Sequence, residues 1–239
     1  MYQYKYLIII CCFFVFLNCT KEQKTIYSEV NITTNDNNLV EVNIPKAEGN
    51  KSISNQINSE IQKKVISALH IGNLNDIHSP SIEESIASFN YEYKVFNKDF
   101  PESPQLWEAQ IDGEVIYQSD ELTTIAITSY KNTGGAHGNL NISFLNFDSK
   151  TGQKLDNSQL FTDIKSFKAI AKTYFEEEIK EKNLLTDYKT FELPENIGYS
   201  ENGIVLLYNT YEVAPHATGI IEFAIPFRKA ASSLAFNSL

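Results

Sequence analysis

The spacing of apolar residues changes several times along the chain, and each change marks an element. Ile26 to Thr33 and Leu39 to Ile44 are short, β-branched runs that read as two strands. Between them Asn35-Asp36-Asn37-Asn38 is a turn signal, because Asn and Asp tolerate left-handed backbone and bond their own main chain. From about Ser52 to His70 the period becomes helical. Ile53, Ile57, Ile61, Val65 and Leu69 recur every four residues and form one stripe, which Gly72 and Asn73 end. A second helix is expected from Ser79-Pro80, with Ser79 as cap and Pro80 in the first turn. It continues through Ile82, Ile86, Phe89 and Tyr93 and stops before Pro101, although Tyr91 to Phe96 also fits a strand.

From Leu106 the period is two. Gln105 to Gln118, Leu122 to Asn132 and Leu140 to Asp148 predict long antiparallel strands, turning at Ser119-Asp120 and near Gly134. Ser149 to Gly152 is a further turn. A third helix follows Asp163, with Ile164, Phe167, Ile170, Ala171, Tyr174, Phe175 and Ile179 facing inward. Glu176 with Lys180, and Glu178 with Lys182, form i,i+4 pairs on its wet face. Of three strands expected to close the chain, two are located by their alternation. Gly203 to Val213 and Gly219 to Phe227 alternate, Ile221, Phe223, Ile225 and Phe227 share a face, and Pro226 marks an edge or an end. The order ββ-αα-βββ-α-βββ, with tight turns between strands, predicts an α+β fold of mainly antiparallel sheets with helices packed on one face. A boundary near residue 150 divides it into domains 26–149 and 150–239, each with helix and sheet.

Composition narrows the function. The chain has 239 residues, 42% hydrophobic and 12% aromatic, which is globular rather than disordered. Its net charge is -10 and Lys and Arg do not cluster, which argues against nucleic acid and favours cationic partners at long range. The cysteines are Cys11, Cys12 and Cys19, so nothing after Cys19 can form a disulfide or a thiolate metal site. Residues 1–18 read as a signal peptide: Lys5 is the basic region, and Tyr6 to Leu17 is an apolar run too short to span a bilayer as a helix. The run stops at Phe16-Leu17-Asn18-Cys19 before polar residues, which resembles the lipobox of bacterial lipoproteins. The resemblance implies a diacylglyceryl group on Cys19, residues 19–25 as a tether, and a place in the cell envelope, facing the periplasm or the exterior. Asn18 stands where a lipobox has a small residue, which leaves secretory cleavage or a retained anchor as alternatives.

Two loops invite a chemical reading. In Asn132 to Asn139, Gly134, Gly135 and Gly138 permit close backbone approach and a nest of N–H groups for an anion, and His137 is a candidate ligand or proton carrier. A strand-connecting bulge is the plainer alternative. In Tyr211 to Gly219, Pro215 and Gly219 bracket His216, with Glu212 and Tyr211 beside it. If the loops meet, His137, Glu212 and His216 form a candidate catalytic set for a hydrolase. Two His and one carboxylate can hold zinc or iron, but neither H-E-x-x-H nor a third nearby His is present, so no metal or other cofactor is expected. His70 and His78 are expected as solvated surface residues. No G-x-S-x-G elbow occurs, and the acidic residues show no glycosidase pattern.

Taken together, Y-x-N-T-G-G-A-H-G-N at Tyr130, D-x-x-T-G-x-x-L at Asp148, Y-x-x-Y-E-V-A-P-H-A-x-G at Tyr208 and the closing I-P-F resemble a known envelope module. It is the paired domain of unknown function found in RsiV-like anti-sigma factors and beside the catalytic domain of PdaC-like peptidoglycan deacetylases. The resemblance covers nearly all of the chain after the tether. It implies a stand-alone module without the deacetylase or sigma-binding domains. Its expected role is non-catalytic binding of a cell-wall glycan, such as a peptidoglycan fragment, or of a secreted protein such as lysozyme, with envelope-polysaccharide hydrolysis as the alternative. His216 stands where the sensor relatives commonly carry Tyr. The ligand loops would be those of Gly134, Gly135, His137, Gly138, Tyr211, Pro215 and His216. Tyr91, Tyr93, Trp107 and Tyr211 are candidate aromatic contacts.

Overall fold

A computed structural model describes residues 24–102, 105–184 and 189–236. The expected signal peptide and Cys19 lie outside the described residues. The elements are β1 (Ile26–Asn31), β2 (Val40–Glu48), α1 (Lys51–Leu69), α2 (Ile82–Asp99), β3 (Glu108–Gln118), β4 (Leu122–Asn132) and β5 (Asn139–Asp148). They are followed by β6 (Lys154–Leu155), α3 (Ile164–Glu181), β7 (Asn196–Ser200), β8 (Gly203–Tyr208), β9 (Ile221–Ile225) and the short α4 (Phe227–Ala230). The fold is α+β, as the alternation of periods predicts.

Strands β1 to β6 form one sheet in chain order, and β7, β8 and β9 form a second. All pairings are antiparallel except β2 with β3. That pair is parallel because α1 and α2 intervene and carry the chain back to the same end of the sheet. Ile57, Ile61, Val65, Ile86 and Phe89 from the two helices bury against Val42, Ile111, Ile125 and Ile127. In the second half Phe167, Ala171 and Phe175 of α3 pack on Ile197, Ile204, Leu206, Ile221 and Ile225, joined by Leu122 and Leu155 from the first sheet.

Several sequence expectations are corrected. The second helix is capped by Ser81, whose hydroxyl accepts the Glu84 N–H at 3.2 Å, and not by Ser79. The helix does continue through Tyr91 to Phe96 and stop before Pro101 as expected, and the strand alternative falls, because helical spacing brings Phe89, Tyr93 and Phe96 around Trp107, with ring centroids 5.8, 5.8 and 5.2 Å away. Strand β2 runs on through Pro45, which lies past Asn43, the last residue paired with β3, so its missing N–H breaks no rung there. Ile164 is 38% exposed rather than inward. Glu178 pairs with Lys182 as expected, but Glu176 pairs with Lys172 at 3.7 Å instead of Lys180. The eighth strand ends at Tyr208, not Val213, and Pro226 ends β9 so that Phe227 begins α4.

The two halves meet through their strand edges. Strand β6 covers only Asn146 and Phe147 of β5. Beyond it, the Ile142 N–H donates to Asn209 Oδ1 and the Ile142 carbonyl accepts from Asn209 Nδ2, each at 2.9 Å. The Phe144 N–H donates to Asn196 Oδ1 at 3.2 Å. In return, Asn146 Nδ2 donates to the Ile197 carbonyl at 2.8 Å, and the Tyr199 N–H donates to Thr124 Oγ1 at 3.2 Å, closing the free edge of β7. Thr124 also donates to Asn146 Oδ1 at 2.8 Å, and both side chains are buried. Gly198 lets the strands approach, since a Cβ there would lie 2.8 Å from Thr124 Cγ2.

Asn146→Leu removes the donor to Ile197 and the acceptor for Thr124. Buried polar groups left without partners cost about 1–3 kcal/mol each, so denaturant unfolding should show a loss of that order. A change under about 0.5 kcal/mol, the size of an ordinary surface substitution, would show that solvent replaces the amide.

Candidate functional site

The glycine loop leaves β4 at Asn132, whose side chain accepts the Gly134 N–H at 3.0 Å. Gly134 has φ +88°, a conformation that favours glycine. Its N–H is thus engaged, which removes it from any anion nest. At Gly138 the chain returns against Tyr130, whose ring atoms lie 2.3 Å from where a Cβ would stand. The close return leaves His137 exposed at the tip, with Nδ1 3.3 Å from the Gly138 carbonyl.

The second loop begins at Asn209. The Glu212 N–H closes a turn onto the Asn209 carbonyl at 3.1 Å. The Glu212 carboxylate then accepts two main-chain donors, Glu195 N–H at 3.0 Å and Asn209 N–H at 2.9 Å. Tyr211, between them in sequence, has φ +70° and is 66% exposed. This left-handed, non-glycine residue lies three positions past the end of β8 and carries its ring into solvent. A single 3-10 turn over His216–Thr218 follows Pro215 and ends at Gly219, whose φ is +77°.

The two loops meet. The His137 and His216 rings stack with centroids 3.9 Å apart and planes 23° from parallel. Tyr211 lies against His216 at 5.4 Å. Three rings, one from the first half and two from the second, thus form a stacked ledge where the two loops meet.

Glu212 is near in sequence, and both its oxygens accept main-chain N–H groups. Partial burial raises its carboxyl above the ordinary range, against the opposing pull of the two N–H donors. Among the described residues no group of three or more His, Cys, Asp or Glu is arranged to hold a metal ion. His70 sits at the end of α1 rather than free in solvent, with Nε2 2.9 Å from the Asn73 carbonyl and its own carbonyl accepting Lys131 Nζ at 2.6 Å. Burial lowers the Lys131 ammonium below its usual value. His78 is exposed. Of the other aromatic candidates, Tyr91 is exposed, Tyr93 half-buried and Trp107 buried. Sequence reasoning missed Asn209 and Asn196, since in so Asn-rich a chain no spacing separates a bridging amide from a turn residue.

This arrangement defines a two-sheet α+β protein whose loops converge across a shared edge. Residues 32–140 match the family model described as Deacetylase PdaC, and residues 158–228 match that described as Protein of unknown function (DUF3298). The chain thus carries, in this order, a segment that matches a PdaC-like domain and a segment that matches a DUF3298 domain. It resembles the crystal structure of a DUF3298 family protein from Pseudomonas aeruginosa, at a TM-score of 0.61 and 18% identity over 90% of this chain and 95% of that one. A DUF3298 family member from Bacteroides fragilis is similar at 0.59 and 18%, over 90% and 94% of the two chains. At this identity the likeness concerns the fold. No curated protein matches the chain.

A carboxyl whose folded pKa exceeds its unfolded one adds stability that is fully present below the unfolded value and is lost as pH rises through the folded value. NMR titration of the Glu212 side-chain carbon should therefore give a midpoint above the ordinary carboxylate value of 4.5. A midpoint at or below it would mean that the two N–H donors outweigh burial.

Proposed function

We propose that this chain is a non-catalytic binding lipoprotein of the bacterial cell envelope, tethered through Cys19, that takes a cell-wall glycan on the ledge of His137, His216 and Tyr211. The ledge itself carries the reading. Large rings are normally spent on the core, and here three gather where the loops meet; the two imidazoles cover each other's inner faces, and the exposed ring of Tyr211 and the outer side of His137 can meet the C–H faces of sugars. Peptidoglycan fragments are the candidate ligand of this surface. The alternative, a hydrolase using His137, Glu212 and His216, requires a carboxylate that here accepts two main-chain N–H groups. A second reading, with a basic secreted protein such as lysozyme as partner, draws on the net charge of -10, which steers cationic proteins toward the chain.

The test is co-sedimentation with purified peptidoglycan sacculi. Wild type should be retained, and Tyr211→Ala and His216→Ala should each lower retention about fivefold or more, as expected for aromatic anchors. Circular dichroism should not change. Absence of retention, or soluble fragments released from the sacculi, would overturn glycan binding or its non-catalytic character respectively. For the tether, the membrane fraction should yield a first peptide beginning at Cys19 with the mass of a diacylglyceryl adduct.

A further inference from the structure

The ledge has no existence in either half alone. His137 follows β4 of the first sheet, while Tyr211 and His216 follow β8 of the second. Something must set one loop against the other closely enough for rings to stack at 3.9 Å. We infer that Asn209 is the positioning residue of this site, and that its side-chain pairing with Ile142 holds His216 and Tyr211 in register with His137. The inference rests on the ledge being the binding surface.

The geometry of the pairing is that of a strand rung. Asn209 gives its Nδ2 hydrogen to the Ile142 carbonyl and takes the Ile142 N–H on Oδ1, both at 2.9 Å. Ile142 lies five residues after His137 on the strand that the glycine loop feeds, and Asn209 lies two residues before Tyr211. The rung thus stands at the root of both loops. A carboxamide is suited to it because it offers one donor and one acceptor side by side without charge. A carboxylate of the same shape would set an oxygen against the Ile142 carbonyl.

Asn209 is itself held. Its main-chain N–H donates to Glu212, and the other Glu212 oxygen accepts the Glu195 N–H. The next residue, Asn196, accepts the Phe144 N–H, two positions along β5 from Ile142. The circuit Ile142, Asn209, Glu212, Glu195, Asn196, Phe144 therefore closes on β5. It assigns Glu212 a purpose that does not require it to reach a ligand: it keeps Asn209 presented to the strand.

The experiment has a readout without ligand and one with it. In wild type, NMR should show cross-relaxation between the His137 and His216 ring protons and slow hydrogen exchange at the Ile142 amide. Asn209→Asp keeps the shape and loses the donor; Asn209→Ala loses both partners. Each should abolish the ring contact and speed Ile142 exchange at least about tenfold, a factor equivalent to ~1.4 kcal/mol of opening free energy, while amides of α1 and α2 keep their positions in the spectrum. Retention on peptidoglycan sacculi should fall to the level of Tyr211→Ala. Rings that stay in contact in Asn209→Ala overturn the positioning role. Fast Ile142 exchange in wild type overturns it too, a measurement that stands even if the variants fail to fold. Loss of ring contact with sacculus retention unchanged supports the positioning and overturns the ledge as the binding surface.

Discussion

A strand edge that is buried without partners is among the more costly features a sheet protein can contain, because each unpaired N–H or carbonyl has lost its water. This protein has two such edges facing each other, the upper part of β5 and the outer side of β7. Neither is completed by another strand. Asn209 and Asn196 serve one edge, and Asn146 and Thr124 serve the other. The two halves are therefore joined by reciprocal hydrogen bonds from side chain to main chain, laid over a second core that already draws Leu122 and Leu155 from the first sheet. The same bonds fix the relative position of the loops that emerge beside them.

That dependence runs from fold to site in one direction. Two sheets joined only by apolar contact would be free to slide, since hydrophobic attraction is non-directional. Amide rungs have direction and a fixed spacing. They convert a packing interface into a registered one, and stacking between rings carried on separate sheets requires registration. Elements that do not touch the site support it at a distance. Just past the last pair of β2 with β3, Gly113 gives Pro45 room, since a Cβ there would come 2.6 Å from Pro45 Cδ.

Much of this was legible in the residues. Periods of four and two located both long helices of the first half, α3, and the three long strands, because one-sided burial forces those spacings. The turn at Ser119 and the start of a helix after Asp163 are legible because both rest on local side-chain bonds. The convergence of His137 and His216 was expected only as a condition, since a spacing of 79 residues carries no information on distance. The amide rungs were invisible. Asn is common in turns for local reasons, and nothing in the neighbourhood of Asn146, Asn196 or Asn209 distinguishes a residue that bonds across 51, 52 or 67 positions. Glu212 is a related case: next to a His and a Tyr, a carboxylate suggests chemistry, and only the structure shows both its oxygens accepting main-chain N–H groups.

The chain has a single tryptophan, and it lies where the two levels of the structure meet. Trp107 is enclosed by Phe89, Tyr93 and Phe96, and its indole nitrogen is 3.4 Å from where a Cβ on Gly134 would be. An indole so shielded from water emits at the blue end of its range, and its yield is sensitive to whatever moves against it. The molecule thus carries a built-in fluorophore under the root of the glycine loop, and its emission spectrum reports on that loop and the first core together, without a label.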